Sequence, residues 1–309
     1  MAVLVGAFAF RLRPVMKAPA LPSSGLSLAA LVAGAVIIGL SPIFVRLSEL
    51  GPMSTAFWRV GLALLPLLAW RTTGDAASRA GQRPRSLRDV VALALPGVLL
   101  AGDLLAWHIS IHITSVANAT LLANLAPIFV VLGNWLLFRA TVTRMFLIGL
   151  ALSLLGVAVL SRRGAASGES HVGGDALAFL AAAFYAGYFL ALSRLRSRYS
   201  TLTTLLWSSG AAALCILPVA LVFEPALWPW TIYGWAIVLG LAWICHVGGQ
   251  GLIIYALALL PASFSSLTLL IQPVVAACVA WLVLNEPLGG LQALGGAIVV
   301  AGILLARRG

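Results

Sequence analysis

The chain has 309 residues, 62% of them hydrophobic and only 9% charged, with a formal net charge of +11. A soluble fold of this length needs more charge on its surface, so the composition excludes an ordinary water-soluble domain and points to the bilayer. The basic residues fall between apolar stretches and not along one face, which makes them topology determinants and excludes nucleic acid as the partner.

A helix that crosses a bilayer needs about 20 mostly apolar residues. In chain order such spans fall at about 27–47, 52–70, 89–111, 114–138 and 142–161, then 173–194, 201–223, 231–257, 262–284 and 288–306. The expected fold is an all-α polytopic membrane protein of ten transmembrane helices. Only short polar or Gly/Pro-rich pieces separate the spans. Residues 1–26 begin with an apolar run too short to span, followed by Arg11, Arg13 and Lys17. That order is the reverse of a signal peptide, so a cytoplasmic tail is expected.

Residues 114–160 recur at 260–306. Pro127, Trp135, Gly149, Ala151 and Gly156 reappear at a constant offset of 146 as Pro273, Trp281, Gly295, Ala297 and Gly302. Trp58-x-x-Gly61 is echoed by Trp207-x-x-Gly210. Five helices per copy is an odd number, so the second copy must be inverted; the repeats are placed at 27–161 and 173–306. Inverted repeats mark secondary transporters, whose substrate site lies where the halves meet. With the N-terminus inside, the cytoplasmic loops take most of the basic residues, leaving Arg46, Arg59, Arg162 and Arg163 outside or near the outer surface. The positive-inside rule then puts both termini in the cytoplasm.

Polar groups inside hydrocarbon are costly, from about 2.5 kcal/mol per charge upward, and tend to be functional. The third span carries Asp103, Trp107, His108 and His112, with Asp103 and Trp107 on one face. The eighth carries Trp243, His246 and Gln250, spaced to share a face of an α-helix. The two spans are equivalents in the two repeats, so these groups are expected to line a common cavity. For His246 the alternative is a hydrogen bond to a neighbouring helix. Ser41, Asn118, Tyr185, Tyr188 and Gln272 complete the candidate lining. Asp103 either titrates and couples transport to protons or is neutralised locally. Pro66, Pro96 and Pro218 are expected to kink their helices and nothing more.

Cys215, Cys245 and Cys278 lie in apolar runs without CxxC spacing, so neither a metal site nor a disulfide framework is expected. HExxH, GxSxG and paired-carboxylate motifs are missing, so the chain is not expected to be an enzyme or to need a cofactor.

The segments "GPMSTAFWRVGLALLPLL" (51–68), "ANLAPIFVVLGNWLLF" (123–138) and "LIQPVVAACVAWLVLNEPL" (270–288) carry a family resemblance. They resemble the second, fourth and ninth helices of the EamA-type branch of the drug/metabolite transporter superfamily. The Gly149/Gly156 and Gly295/Gly302 helices resemble the family's fifth and tenth. The family usually has a Glu after helices 4 and 9. Glu286 holds the second position, but Arg139-Ala140-Thr141 stands at the first. The resemblance implies a transporter in a bacterial-type inner membrane, surrounded by lipid and handling a small-molecule substrate. An aromatic-rich, acid-poor interior is closer to the superfamily's amino-acid and metabolite exporters than to its small cation-drug pumps. Other metabolites or drugs are the alternative substrates, and oligomeric state is left open.

Overall fold

Without water in hydrocarbon, backbone N–H and C=O groups must pair within their own segment, and an apolar chain answers with helices. The computed structural model describes residues 24–73, 84–114, 116–165, 172–284 and 289–308, and these residues contain helices and no strand. The elements are α1 (Ser24–Gly39, then Ser41–Leu47), α2 (Pro52–Gly61, then Leu64–Thr73) and α3 (Leu87–Ile113). They continue with α4 (Val116–Ala123, then Ala126–Phe138), α5 (Arg144–Ala165), α6 (Val172–Leu195) and α7 (Thr201–Phe223). The last three are α8 (Ile232–Gly240, Leu241–Gln250 and Gly251–Ala256), α9 (Ala262–Thr268, then Ile271–Leu284) and α10 (Gly290–Ala306). Among the described residues, nine helices are long and apolar enough to cross a membrane, and Gly290–Ala306 is a shorter apolar one. The expected tail at 1–26 lies almost wholly outside the described residues, as does Glu286.

Four helices break just before a proline. The turns at Leu40, at 62–63, at 124–125 and at 269–270 precede Pro42, Pro66, Pro127 and Pro273. Proline has no N–H to offer the carbonyl four residues back and clashes with it, so the ladder opens there. The breaks in α4 and α9 fall at equivalent points of the sequence repeat. Pro66 does more than kink. The Leu62 carbonyl, which Pro66 cannot bond, accepts the Leu65 N–H and also the Trp243 indole N–H at 3.1 Å, which ties α2 to α8. Pro96 and Pro218 stay inside continuous helices. Side-chain caps start the helices that follow polar loops: Ser86 accepts from Asp89 N–H, Ser200 from Thr203 N–H and Thr231 from Gly234 N–H.

The core is built of Leu, Ile, Ala and aromatic side chains from α1, α2, α3, α6, α7 and α8, with Tyr188 and Phe189 fully buried at its centre. Leu214, Leu221, Phe223 and Ile232 face outward, where hydrocarbon would meet them.

α5 and α10 pack backbone to backbone. A Cβ at Gly149 would come within 2.6 Å of Gly302 O, and one at Gly156 within 2.8 Å of Gly295 O. Small residues permit such an approach. The contacts run antiparallel and are reciprocal: Gly149 meets the counterpart of Gly156, and Gly156 meets the counterpart of Gly149. Between them Ser153 Oγ donates to Val299 O at 3.3 Å, and Val299 is the counterpart of Ser153 itself. Two equivalent surfaces touching in this exchanged manner are what a two-fold relation produces.

Candidate functional site

α2 starts at Pro52, which suits a first helical turn. Seven residues on, Arg59 turns into the bundle: its Nε is buried and has no hydrogen-bond partner among the described residues. Its charge acts on Asp103 of α3, Tyr185 and Tyr188 of α6, and Cys245 and His246 of α8. The sequence expectation put Arg59 outside or near the outer surface; what the fold adds is that its side chain enters the interior. The charge count along the chain could not show which way a side chain near a helix start would point. The signal was there in principle, since a charge two turns inside a membrane helix is itself a functional pointer.

Asp103 and Tyr185 are half-buried within the bundle. Asp103 and Arg59 interact electrostatically but form no ion pair. The Tyr185 and Tyr188 rings lie 5.9 Å apart, and Tyr185 stands 5.9 Å from Phe189. Tyr185 is in range of Gln272 on α9, and Tyr188 of Gln250 on α8. Ser41 Oγ, Tyr188 OH, Gln250 Nε2 and Gln272 Nε2 are all buried without partners among the described residues. One interior region therefore gathers Ser41, Arg59 and Asp103 from the first half of the chain with Tyr185, Tyr188, Gln250 and Gln272 from the second.

The remaining candidates behave differently. His246 is 1% exposed, and its Nε2 lies 2.9 Å from Ser209 Oγ on α7, a helix-to-helix hydrogen bond. His108 is 3% exposed, bonded through Nδ1 to the Leu104 carbonyl of its own helix, and edge-on to Trp107 at 5.0 Å. α2 and α7 pack against both α3 and α8. Trp243 leaves the face it was expected to share with His246 and Gln250. Residues 241–250 form a π-helix, whose i→i+5 bonds widen the turn beyond 3.6 residues. His246 and Gln250 then stay aligned, at 1% and 4% exposed, while Trp243 rotates away to 47%. Asn118 sits on α4, and its side chain lies outside the described part, as does that of His112.

One end of the bundle is tied across the two halves of the chain. Glu224, ending α7, accepts Met53 N–H at the start of α2 at 2.8 Å. Glu49, ending α1, accepts Trp230 and Thr231 N–H at 3.1 and 3.2 Å and also the Thr231 hydroxyl, at the start of α8. Each carboxylate thus satisfies orphan donors of a helix N-terminus and meets its positive dipole end. Ser54 donates to Ala226 O at 2.9 Å and Trp58 to Leu227 O at 2.6 Å, and Trp58 packs on Trp228 and Trp235. Arg59, next to Trp58 in sequence, thus follows directly on this tied end. At the opposite end Asp89 of α3 pairs with Arg198 of the α6–α7 connection at 3.0 Å.

The EamA-like transporter family matches the chain twice, over residues 24–162 and 172–308. The chain belongs to this family. Relatives include an "Uncharacterized transporter" of Archaeoglobus fulgidus, 27% identical over 271 residues, which are 85% of this chain and 91% of the relative. A "Probable terminal-alkyne amino-acid exporter" of Streptantibioticus cattleyicolor is 31% identical over 74% of this chain and 76% of its own. A pseudopaline exporter of Pseudomonas aeruginosa is 28% identical over 79% and 82%. A solved crystal structure superposes with a TM-score of 0.77 at 18% identity, covering 92% of this chain and 98% of that one. That last likeness concerns the fold alone. Together the family and its exporter-named members make this chain a membrane transporter of small molecules.

Proposed function

We propose that this EamA transporter exports small metabolites, amino acids including aromatic ones foremost, by alternating access. The observation that carries the reading is the interior region where Arg59, Asp103 and Ser41 of one half meet Tyr185, Tyr188, Gln250 and Gln272 of the other. A site at the junction of two repeats is where a rocking carrier exposes its substrate to either side in turn. The two repeats, 27–161 and 173–306, carry five membrane helices each in opposite orientation, with α10 as the tenth crossing. The reciprocal antiparallel contact of α5 and α10 supports this. Both termini lie in the cytoplasm of a bacterial-type inner membrane, which makes the Glu49–Glu224 end the outer one.

Tyr185 and Tyr188 offer faces for an apolar or aromatic side chain. Trp107, His108 and His246 stand around the site or hold it in shape, and Trp243 ties α2 to α8. Asp103 is the candidate for proton coupling. The amino-acid exporter among the relatives favours that substrate class over cationic drugs, which Arg59 would repel. Counterflow in proteoliposomes against a panel of amino acids, nucleosides and cationic drugs tests the assignment. Saturable exchange of amino acids is expected; exchange confined to the other two classes would overturn it.

A further inference from the structure

Three orphan atoms of the interior region differ from the rest in kind. Arg59 Nε, Gln250 Nε2 and Gln272 Nε2 are buried without partners among the described residues, and each can only donate. They come from α2, α8 and α9. Buried donors left unpaired are costly, and a site that keeps several of them is built for an acceptor. The hydroxyls of Ser41 and Tyr188, also orphaned, can donate as well. Among the described residues, one carboxylate interacts with this group, that of Asp103.

We propose that Arg59 is the substrate-anchoring residue, its guanidinium binding a carboxylate group of the ligand with Gln250 and Gln272 donating alongside. The assignment rests on the function proposed above. A carboxylate brings two oxygens and several lone pairs, which matches a forked guanidinium and two amides. Charge narrows the class further. A single arginine balances a monoanion, whereas a phosphate dianion would leave negative charge uncompensated beside Asp103. A cationic ligand without a carboxylate would place its charge against Arg59. The fitting ligand is a small monocarboxylate, and an amino-acid zwitterion can present its ammonium to Asp103 at the same time.

The test uses purified protein in proteoliposomes and four probes sharing one ring: L-phenylalanine, 3-phenylpropionate, phenethylamine and phenylalanine methyl ester. Wild type is expected to exchange the two carboxylates in preference to the two compounds lacking one. In Arg59→Gln the carboxylate exchange should fall by about 30-fold or more, the scale of losing one partner of a buried charge pair. Exchange of the amine and ester should not fall with it. Arg59→Lys keeps the charge but not the fork, and should raise KM for both carboxylates while the protein stays monodisperse. If Arg59→Gln does not fold, an unchanged KM in Arg59→Lys overturns the proposal. Retained preference for carboxylates in Arg59→Gln overturns it too, while leaving the amino-acid function intact. Exchange of 3-phenylpropionate but not phenylalanine, lost in Arg59→Gln, upholds Arg59 and overturns the amino-acid reading. A wild type that carries only the amine and ester overturns both.

Discussion

At the residue scale, chemistry here is decided by what each polar group already has as a partner. His246 spends its Nε2 on Ser209, whereas Gln250, one turn away, leaves its Nε2 unpaired. His246→Ala should therefore lower stability by about 1 kcal/mol, the net worth of one hydrogen bond, together with transport. Gln250→Ala should cut transport with little loss of stability. Thermal unfolding of detergent-solubilised variants beside counterflow rates checks the pair, and equal destabilisation would contradict it. Asp103→Asn separates coupling from binding. The amide keeps size and hydrogen bonding but cannot titrate, so dependence on a pH gradient should vanish while substrate-for-substrate exchange survives. A wild type that ignores a pH gradient would make Asp103 structural. Arg59 is the residue whose direction a one-dimensional charge count could not give, because inside and outside are properties of a helix face as much as of a loop.

At the scale of elements, the Glu49 carboxylate that holds a helix start across the bundle makes that end of it sensitive to acid. The hydroxyl of Thr231, then the backbone N–H groups of Trp230 and Thr231, hold the Glu49 carboxyl below its usual 4.5 against a smaller opposing effect of desolvation. A depressed folded pKa means that stability is present in full above the unfolded value and is lost as pH falls through the folded one. Wild type should thus melt higher than Glu49→Gln at neutral pH, and the gap should shrink once pH drops below about 4.5. Melting curves from pH 7 to pH 3 read this directly; a gap that widens in acid would reverse the sign. The helix breaks before Pro42, Pro66, Pro127 and Pro273 were open to sequence reasoning because proline chemistry is local. The π-helix at Leu241–Gln250 was not. It moved Trp243 off its expected face, since nothing in LAWICHVGGQ marks a wider turn.

At the scale of the whole molecule, the proposed ten-crossing, two-repeat arrangement predicts sidedness. In a background lacking Cys215, Cys245 and Cys278, a cysteine introduced within 71–88 should resist a membrane-impermeant thiol reagent added to intact cells. One placed at Trp230, in the α7–α8 connection, should react. Labelling of the first site from outside would end the N-inside, five-plus-five topology. The exchanged contacts of Gly149 with Gly302 and Gly156 with Gly295 give that topology its geometric support, and they involve the same residues whose spacing revealed the repeat.

The sequence by itself determined that this is a bundle of apolar helices, where each begins and ends within a few residues, and that its halves repeat. It also carried the family. These follow from local rules: hydropathy over about 20 residues, proline's missing N–H and recurrence at fixed spacing. Only the tertiary structure decided which polar residues meet. It brought Arg59, Asp103, Tyr185 and Gln272 from four helices into one region, set α2 and α7 against both α3 and α8, and gave His246 to Ser209. The reason is physical. Helices this uniformly apolar have almost no hydrophobic face to orient them, so their rotation is set by neighbours, through backbone contact at glycines and a few interhelical hydrogen bonds.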